Sequence, residues 1–412
     1  MAHTDAHPFA GRAALADSRD PAGAPTRSVP FLRPTTTEAG VAAVAAAARA
    51  GLTKAGGPAT RRCERLLRAH HDVDTVVMTH SCTGALELSA LLLGIGEGDE
   101  VIMPSFAFAS SANAFVLRGA TPVFVDVQAD TMNIDPAAVR AALTPRTRAL
   151  VVVHYAGVAA AMDELLAIAR DAGIALVEDA AQALGSSHRG RPLGSLGTLG
   201  TISFDATKNL SSGTGGALLV NDPAFAAEAE LLRDYGTDRA RFARGEIARY
   251  RWVQAGSNLA MNELAAAYLA PQLEHLERIT QRRRRIWRRY HDAFAEAERA
   301  GLVRRPVVPE TCEDNAHIYA LTTPTAEGRT RLLHELAADG VEAAFHYVPL
   351  HSAPAGRRHG RVHGSMRNTD EGSARLLRLP LWDDMPAAAV EQVIAAVLAR
   401  LAFPSRPAAV PG

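Results

Sequence analysis

Between residues 100 and 222 the chain repeats one rhythm: a short apolar run, then a stretch whose apolar residues recur every three to four positions. The runs are VIM (101–103), PVFVDV (122–127), ALVVVHY (149–155), IALVED (174–179), GTISF (200–204) and ALLVND (217–222). Several are apolar at consecutive positions, which predicts strands of a sheet covered on both faces. Stretches such as PAAVRAALTP and MDELLAIARDAG predict the helices between them. This alternation predicts an α/β fold with a mostly parallel central sheet, whose ligands sit beyond the carboxyl ends of its strands.

From residue 256 the rhythm changes. A long helical region, MNELAAAYLAPQLEHLERITQRRRRIWRRYHDAFAEAERAG, is followed by mixed strand and helix signals. A last helix buries a stripe of Val390, Val393, Ile394, Val397, Leu398 and Leu401. These signals predict a large α/β domain over 29–255 and a long helix with a smaller C-terminal α+β domain over 256–402. Residues 1–28 and 403–412, rich in Ala, Gly and Pro without periodicity, read as a mobile N-terminal tail and a loose C-terminal one.

Composition narrows the function. Lys plus Arg equals Asp plus Glu at 44 each, so no global field draws the chain to nucleic acid or a membrane. No apolar segment reaches membrane-spanning length, and the N-terminus lacks the basic-then-apolar pattern of a signal peptide. The three cysteines, Cys63, Cys82 and Cys312, are too far apart for a disulfide framework or a zinc site, which suggests a cytoplasmic enzyme without a metal.

Candidate chemistry centres on Lys208 in SFDATKNLSSGTGG (203–216). A loop lysine is most often solvated, but here the preceding predicted strand ends in Asp179. The two therefore reach the same sheet edge. A lysine and a carboxylate in one cleft suit pyridoxal phosphate, which needs an amine to hold it covalently and an anion to keep its ring nitrogen protonated. SCTGAL (81–86) opens a predicted helix with small residues, as a phosphate cup requires, and Ser203 and Thr207 can add hydroxyls. Phe108, in PSFAFASSANAF, could lie over the ring.

The block EDAAQALGSSHRGRPLGSLGTLGTISFDATKNLSSGTGGALLVND resembles the signature of the DegT/DnrJ/EryC1/StrS sugar aminotransferases, and the resemblance extends from about residue 30 to 402. GDEVIMPSFAFASSANAFVLRGATPVFVDV, VHYAGVAAAMDE, AAFHYVPLHSAPAG and SARLLRLPLW carry it further, and most resemble members that aminate C4 of dTDP-4-keto-6-deoxyglucose. The resemblance implies the fold type I architecture of pyridoxal-phosphate-dependent transferases. It implies that Lys208 binds the cofactor, Asp179 pairs with its ring nitrogen, and Gln182 lies near its ring hydroxyl. Thr83, Gly84 and Ser203 would hold the phosphate and Phe108 would stack on the ring. Asn258, in GSNLAMNEL, would reach the cofactor phosphate of a second subunit, making a homodimer the active unit. Two positions depart from the family pattern: Cys82, often Gly, and Ser257, often aromatic. Dehydratases of the family carry histidine in place of the lysine, so Lys208 favours transamination.

The implied reaction moves the amine of L-glutamate, released as 2-oxoglutarate, to a nucleotide-linked 4-keto-6-deoxyhexose. A 3-keto sugar or cyclitol acceptor, or a non-catalytic sensor built on the same fold, are the alternatives. For the sugar diphosphate, Arg239 and Arg241, with Arg244, are candidates, whereas the run Arg282 to Arg285 reads as a solvated helix face. His154 and Tyr155, and His346 and Tyr347 with His351, are candidates for the sugar pocket.

Overall fold

The computed structural model describes residues 28–401; the tail read over 403–412, and all but Ser28 of that read over 1–28, lie outside the described residues. In chain order the strands are β1 (Thr75–Thr79), β2 (Glu100–Pro104), β3 (Thr121–Val125), β4 (Thr147–Val153), β5 (Ala175–Asp179), β6 (Ser187–His188), β7 (Arg191–Pro192), β8 (Leu199–Ser203), β9 (Gly216–Val220), β10 (Cys312–Glu313), β11 (Tyr319–Thr322), β12 (Arg361–Val362) and β13 (Leu376–Leu379). Eight form one sheet in the order β1-β9-β8-β5-β4-β2-β3-β12. Only β9 runs against its neighbours. The α/β architecture is the one the sequence predicts.

The continuous apolar runs follow from two-sided burial. In β4, Val151 and Val153 enter one core with Leu86, Leu88 and Phe115, while Leu150 and Val152 enter another with Leu165 and Ile168. Burying each such side chain contributes about 1.5–3 kcal/mol, so neither face tolerates a polar residue. Two strands escape the sequence reading. β1 has only three apolar residues, Val76 to Met78, between polar ends. β12 is an edge pair of residues whose register on β3 is held by Arg361 donating to Glu100 on β2.

A separate core gathers Val29, Tyr290, Phe294, Tyr319, Leu321, Leu336, Trp382, Val390, Val393 and Val397 around the antiparallel pair β11–β13. The start of the described chain joins it, Val29 N–H donating to Gly340 O at 2.8 Å. In the last helix, Ala387–Leu401, the predicted stripe faces this core, with Leu398 and Leu401 only half-buried at its margin. The long helical region divides into Glu263–Leu273, Leu276–Ala293 and Ala295–Arg299.

The arginine run is not a solvated face throughout. Arg283 is 2% exposed and donates to the carbonyls of Ala316 (3.1 Å), His317 (2.7 Å) and Leu381 (3.4 Å). It lies on the stripe of Ile279, Ile286 and Tyr290, so helical spacing alone would have put it inside. Among the described residues no helix is long and apolar enough to cross a membrane.

Candidate active site

The parallel strands deliver their carboxyl ends to one edge of the sheet. There β1 leads into the helix Cys82–Leu92, β2 into the turn before Ala109–Val116, β5 ends in Asp179, and β8 ends in Ser203, five residues before Lys208. Asp179 is 5% exposed; Ser111 Oγ donates to its Oδ2 at 2.6 Å and Ala181 N–H to its Oδ1 at 3.2 Å. Lys208 is half-buried, and its ammonium makes no hydrogen bond or ion pair among the described residues. Burial lowers its pKa and the nearby charge of Arg378 adds to the effect, against the opposing pull of Cys82, Asp179 and Asp205. An unpaired, desolvated amine beside a fixed carboxylate is a nucleophile and a base rather than a structural cation.

The helix Cys82–Leu92 begins where an anion would be welcome. Ser81 caps it, accepting from Gly84 N–H at 3.0 Å, which leaves the first amides, those of Cys82 and Thr83, without intrahelical partners. Gly84 therefore supplies space, not a free donor. Gly216 lets β9 lie directly on this turn, since any side chain there would collide with the Ser81–Cys82 backbone. Ser203 Oγ accepts from Asp205 N–H at 3.3 Å and keeps its own proton for a ligand, whereas Thr207 is turned to Asp205 (2.9 Å). The donor set fits pyridoxal phosphate: open amides and a hydroxyl for the phosphate, Asp179 for the ring nitrogen, Lys208 for the aldehyde carbon.

An aromatic cluster completes the cleft. Tyr155 and His346 are hydrogen-bonded through the Tyr155 hydroxyl and His346 Nδ1 at 2.8 Å, and the His346 and Tyr347 rings stack with centroids 3.8 Å apart. Gln182 Nε2 donates to the Tyr347 hydroxyl at 2.6 Å, and its Oε1 accepts from Ala156 N–H at 2.7 Å, holding Ala156 in a left-handed turn (φ 61°). Phe108 is 61% exposed, its ring 6.3 Å from that of Tyr347. Burial pushes the phenols of Tyr155 and Tyr347 up and holds His346 well below the usual imidazole range.

Some sequence candidates are placed elsewhere. His154 is fully buried: its Nε2–H donates to Glu178 at 2.9 Å and its Nδ1 accepts from Ala160 N–H at 3.3 Å. It lines no sugar pocket, because it is buried with both ring nitrogens engaged, one by Glu178 and the other by the Ala160 amide. Arg239 and Arg241 each donate to a carboxylate of their own segment, Asp234 (2.9 Å) and Glu246 (3.2 Å), and among the described residues no hydrogen bond joins them to Lys208. Asn258 is exposed, held by its backbone bridge to Asp234. His351 is pinned to Ser105, whose Oγ is 2.7 Å from its Nδ1.

Three site residues were not anticipated. Ser111 orients Asp179 from the first turn of the helix Ala109–Val116. His317 donates from Nδ1 to Asn209 Oδ1 at 3.0 Å, which fixes it beside Lys208 with burial holding it neutral. Arg378 is the third, and it alone left a signal: a single cation among Leu376, Leu377 and Leu379.

Comparison with known proteins agrees with this geometry. A model of the DegT/DnrJ/EryC1/StrS aminotransferase family matches residues 34–398. The dTDP-3-amino-3,4,6-trideoxy-alpha-D-glucose transaminase of Streptomyces venezuelae is 35% identical over 343 residues, spanning 83% of this chain and 86% of that protein. The crystal structure of the aminotransferase TlmJ from Streptoalloteichus hindustanus superposes with a TM-score of 0.84 at 35% identity, covering 91% of this chain and 99% of that one. Spr1654 of Streptococcus pneumoniae, solved in PLP and PMP forms, superposes at 0.81 with 28% identity, covering 91% and 98%.

Proposed function

We propose a reaction on one premise: the chain belongs to the DegT/DnrJ/EryC1/StrS aminotransferase family and is a pyridoxal-phosphate-dependent sugar aminotransferase. The amino donor is L-glutamate. The acceptor is a nucleotide-linked 4-keto-6-deoxyhexose, dTDP-4-keto-6-deoxyglucose, aminated at C4. The observation that carries the transamination is the unpaired, desolvated Lys208 beside Asp179. The choice of C4 rests on the sequence blocks named above, FHYVPLH and RLPLW among them.

The bound cofactor supplies an electron sink for the carbon that loses its proton. Asp179 holds the ring nitrogen charged, with Ser111 and Ala181 fixing its two oxygens. The Cys82 and Thr83 amides and Ser203 Oγ would hold its phosphate. With the cofactor bound, Lys208 Nζ would be the group that takes the proton from the donor's α-carbon and later returns one to sugar C4. Its lowered pKa keeps enough of the amine neutral to do so. Tyr155, His346 and Tyr347 wall the cleft and exclude water.

The active unit in this reading is a homodimer. The segment before Asn258 exposes Tyr235 (50%), Tyr250 (52%), Trp252 (78%) and Val253 (53%), an apolar surface suited to a second copy.

A second reading, amination at C3, is favoured by the likeness to the Streptomyces venezuelae transaminase. The test is spectroscopic. Glutamate should convert the cofactor absorbance to its amine form, and dTDP-4-keto-6-deoxyglucose should restore it, with NMR locating the new amine. Restoration only by a 3-keto sugar would move the reaction to C3. No response to glutamate would leave the non-catalytic reading.

A further inference from the structure

Asp179 is the last residue of β5, and the end of a strand is where it frays. Its carbonyl accepts from His154 N–H at 3.2 Å, and Ala180 N–H donates to Thr201 O at 3.0 Å before the chain turns away. Ser111 and Ala181 fix the carboxylate only while the backbone that carries it stays in place. The residue before it supplies that hold. Side chains alternate along a strand, so Val177 and Asp179 share one face of the sheet, and Leu176 and Glu178 the other.

Glu178 is fully buried and accepts four hydrogen bonds. His154 Nε2–H (2.9 Å) and Gly194 N–H (2.8 Å) donate to Oε2, and Leu196 N–H and Gly197 N–H (2.6 Å each) to Oε1. His154 stands just past β4, and the Ala160 amide bonded to its Nδ1 leaves the ring proton on Nε2. The three amides belong to the loop between β7 and β8. Glycine lets that loop lie so close: a side chain at Gly197 would collide with Leu176 O, and one at Gly200 with Gly194 O. Asn221 Nδ2 ties the same loop from behind, donating to Gly194 O and Gly197 O at 2.9 Å each. Burial alone would push the Glu178 carboxyl up, but the bonds from His154, Gly197 and Gly194 hold it below the usual carboxylate range. Donors converge in pairs on both oxygens, so an amide of the same shape must turn its NH2 group on one pair, whichever way it flips.

Resting on the sugar-aminotransferase reading, we infer that Glu178 is a positioning residue: anchored by His154 and the 194–197 loop on the far face of β5, it keeps Asp179 turned into the cleft toward the cofactor's ring nitrogen. Two successive carboxylates divide one task, Asp179 facing the ligand and Glu178 facing the protein. None of the four donors to Glu178 touches the Asp179 side chain. Loss of Glu178 therefore leaves the bonds from Ser111 and Ala181 available and frees only the backbone beneath them.

The test uses the holoenzyme loaded with pyridoxal phosphate isotope-labelled at its ring nitrogen, read by solid-state NMR. Wild type should show a protonated ring nitrogen. Glu178→Gln should shift that signal toward the unprotonated form and lower kcat by about 10–100-fold, with KM for glutamate nearly unchanged. Should Glu178→Gln fail to fold, His154→Phe removes one donor, keeps the three amides, and should move the signal the same way. Asn221→Ala is the control for a merely structural role. It loosens the same loop without removing a bond to Glu178, so it should lower the melting temperature and leave the signal at its wild-type position. A wild-type signal in folded Glu178→Gln overturns the inference, as does an equal shift in Asn221→Ala. A wild-type enzyme whose cofactor ignores glutamate overturns the proposed function instead. The ring-nitrogen comparison needs only bound cofactor, so the two failures are told apart.

Discussion

Ser111 Oγ donates to Asp179 Oδ2 at 2.6 Å, from the first turn of the helix Ala109–Val116 and three residues after the exposed ring of Phe108. The bond joins the element that would cover the cofactor to the carboxylate that would hold its ring nitrogen. Ser111→Ala leaves Asp179 with only the Ala181 amide, free to turn toward Lys208. Loss of such a supporting hydrogen bond typically costs about 10–100-fold in a site's function. The expected result is a lower kcat with little change in KM for glutamate, and recovery in Ser111→Thr. Unchanged kcat in Ser111→Ala would show that Asp179 needs no orientation.

Lys208 sets the pH profile. Burial disfavours its charged form, so its pKa falls below the ordinary lysine range. The neutral fraction, and with it the rate of the glutamate half-reaction, should rise with pH through a midpoint lower than that of a free lysine. Stopped-flow absorbance across pH measures it. Lys208→Ala should abolish borohydride fixation of the cofactor, located in wild type by peptide mass. A midpoint at or above the free-lysine value would contradict the desolvated site.

Glu100 governs acid stability at the sheet's far edge. Hydrogen bonds from Arg361, then from Arg146 and Thr144, hold its pKa at about 2 against the opposing effect of burial. Its folded pKa is therefore depressed, so its contribution is complete above the ordinary carboxylate range and fades as pH falls toward 2. Glu100→Gln should destabilise the protein at neutral pH by on the order of 1 kcal/mol, discounted for the exposure of Arg146, and flatten the acid limb. Thermal melts between pH 7 and pH 3 would show whether the two proteins converge as predicted.

What the sequence disclosed, and what it withheld, divides along physical lines. Strands β2 to β5, β8 and β9 were legible because two-sided burial writes continuous apolar runs. Asp179 and Lys208 were legible as neighbours because each follows a strand that must end at the same edge. His154 stands at a strand end too, but nothing local reveals that Glu178, on the next strand, takes its proton. Ser111 and His317 reach the cleft through tertiary packing of a helix and a distant segment, and chain order holds no trace of that meeting, whereas Arg378 was marked only by its isolation among Leu376, Leu377 and Leu379. Arg283 was readable in its spacing, yet the charge of four consecutive arginines outweighed the stripe on which it lies.

That buried arginine makes its own prediction. Arg283 donates to Ala316 O and His317 O, bracketing a left-handed residue (Ala316, φ 51°) next to the histidine beside Lys208. Arg283→Met fills the volume but leaves these carbonyls unsatisfied, costing on the order of 3 kcal/mol. Arg283→Lys cannot reproduce the fork and should rescue little. Denaturant unfolding measures the cost. A melt equal to wild type in Arg283→Met would show that water replaces the guanidinium.

The proposed homodimer allows a test that stability does not confound. If Asn258 completes the partner's cofactor site, Lys208→Ala and Asn258→Ala damage opposite halves of a shared site. A dimer built from one copy of each variant then holds one site with both lesions and one with neither. Reassorting the two inactive proteins in equal amounts makes heterodimers of about half the population, each with one working site of two, so activity should return to roughly a quarter of wild type. Exposed Trp252 and Tyr250 offer an independent reading, since their fluorescence should report dissociation on dilution. Were each site confined to its own chain, every mixture would stay as inactive as its parents.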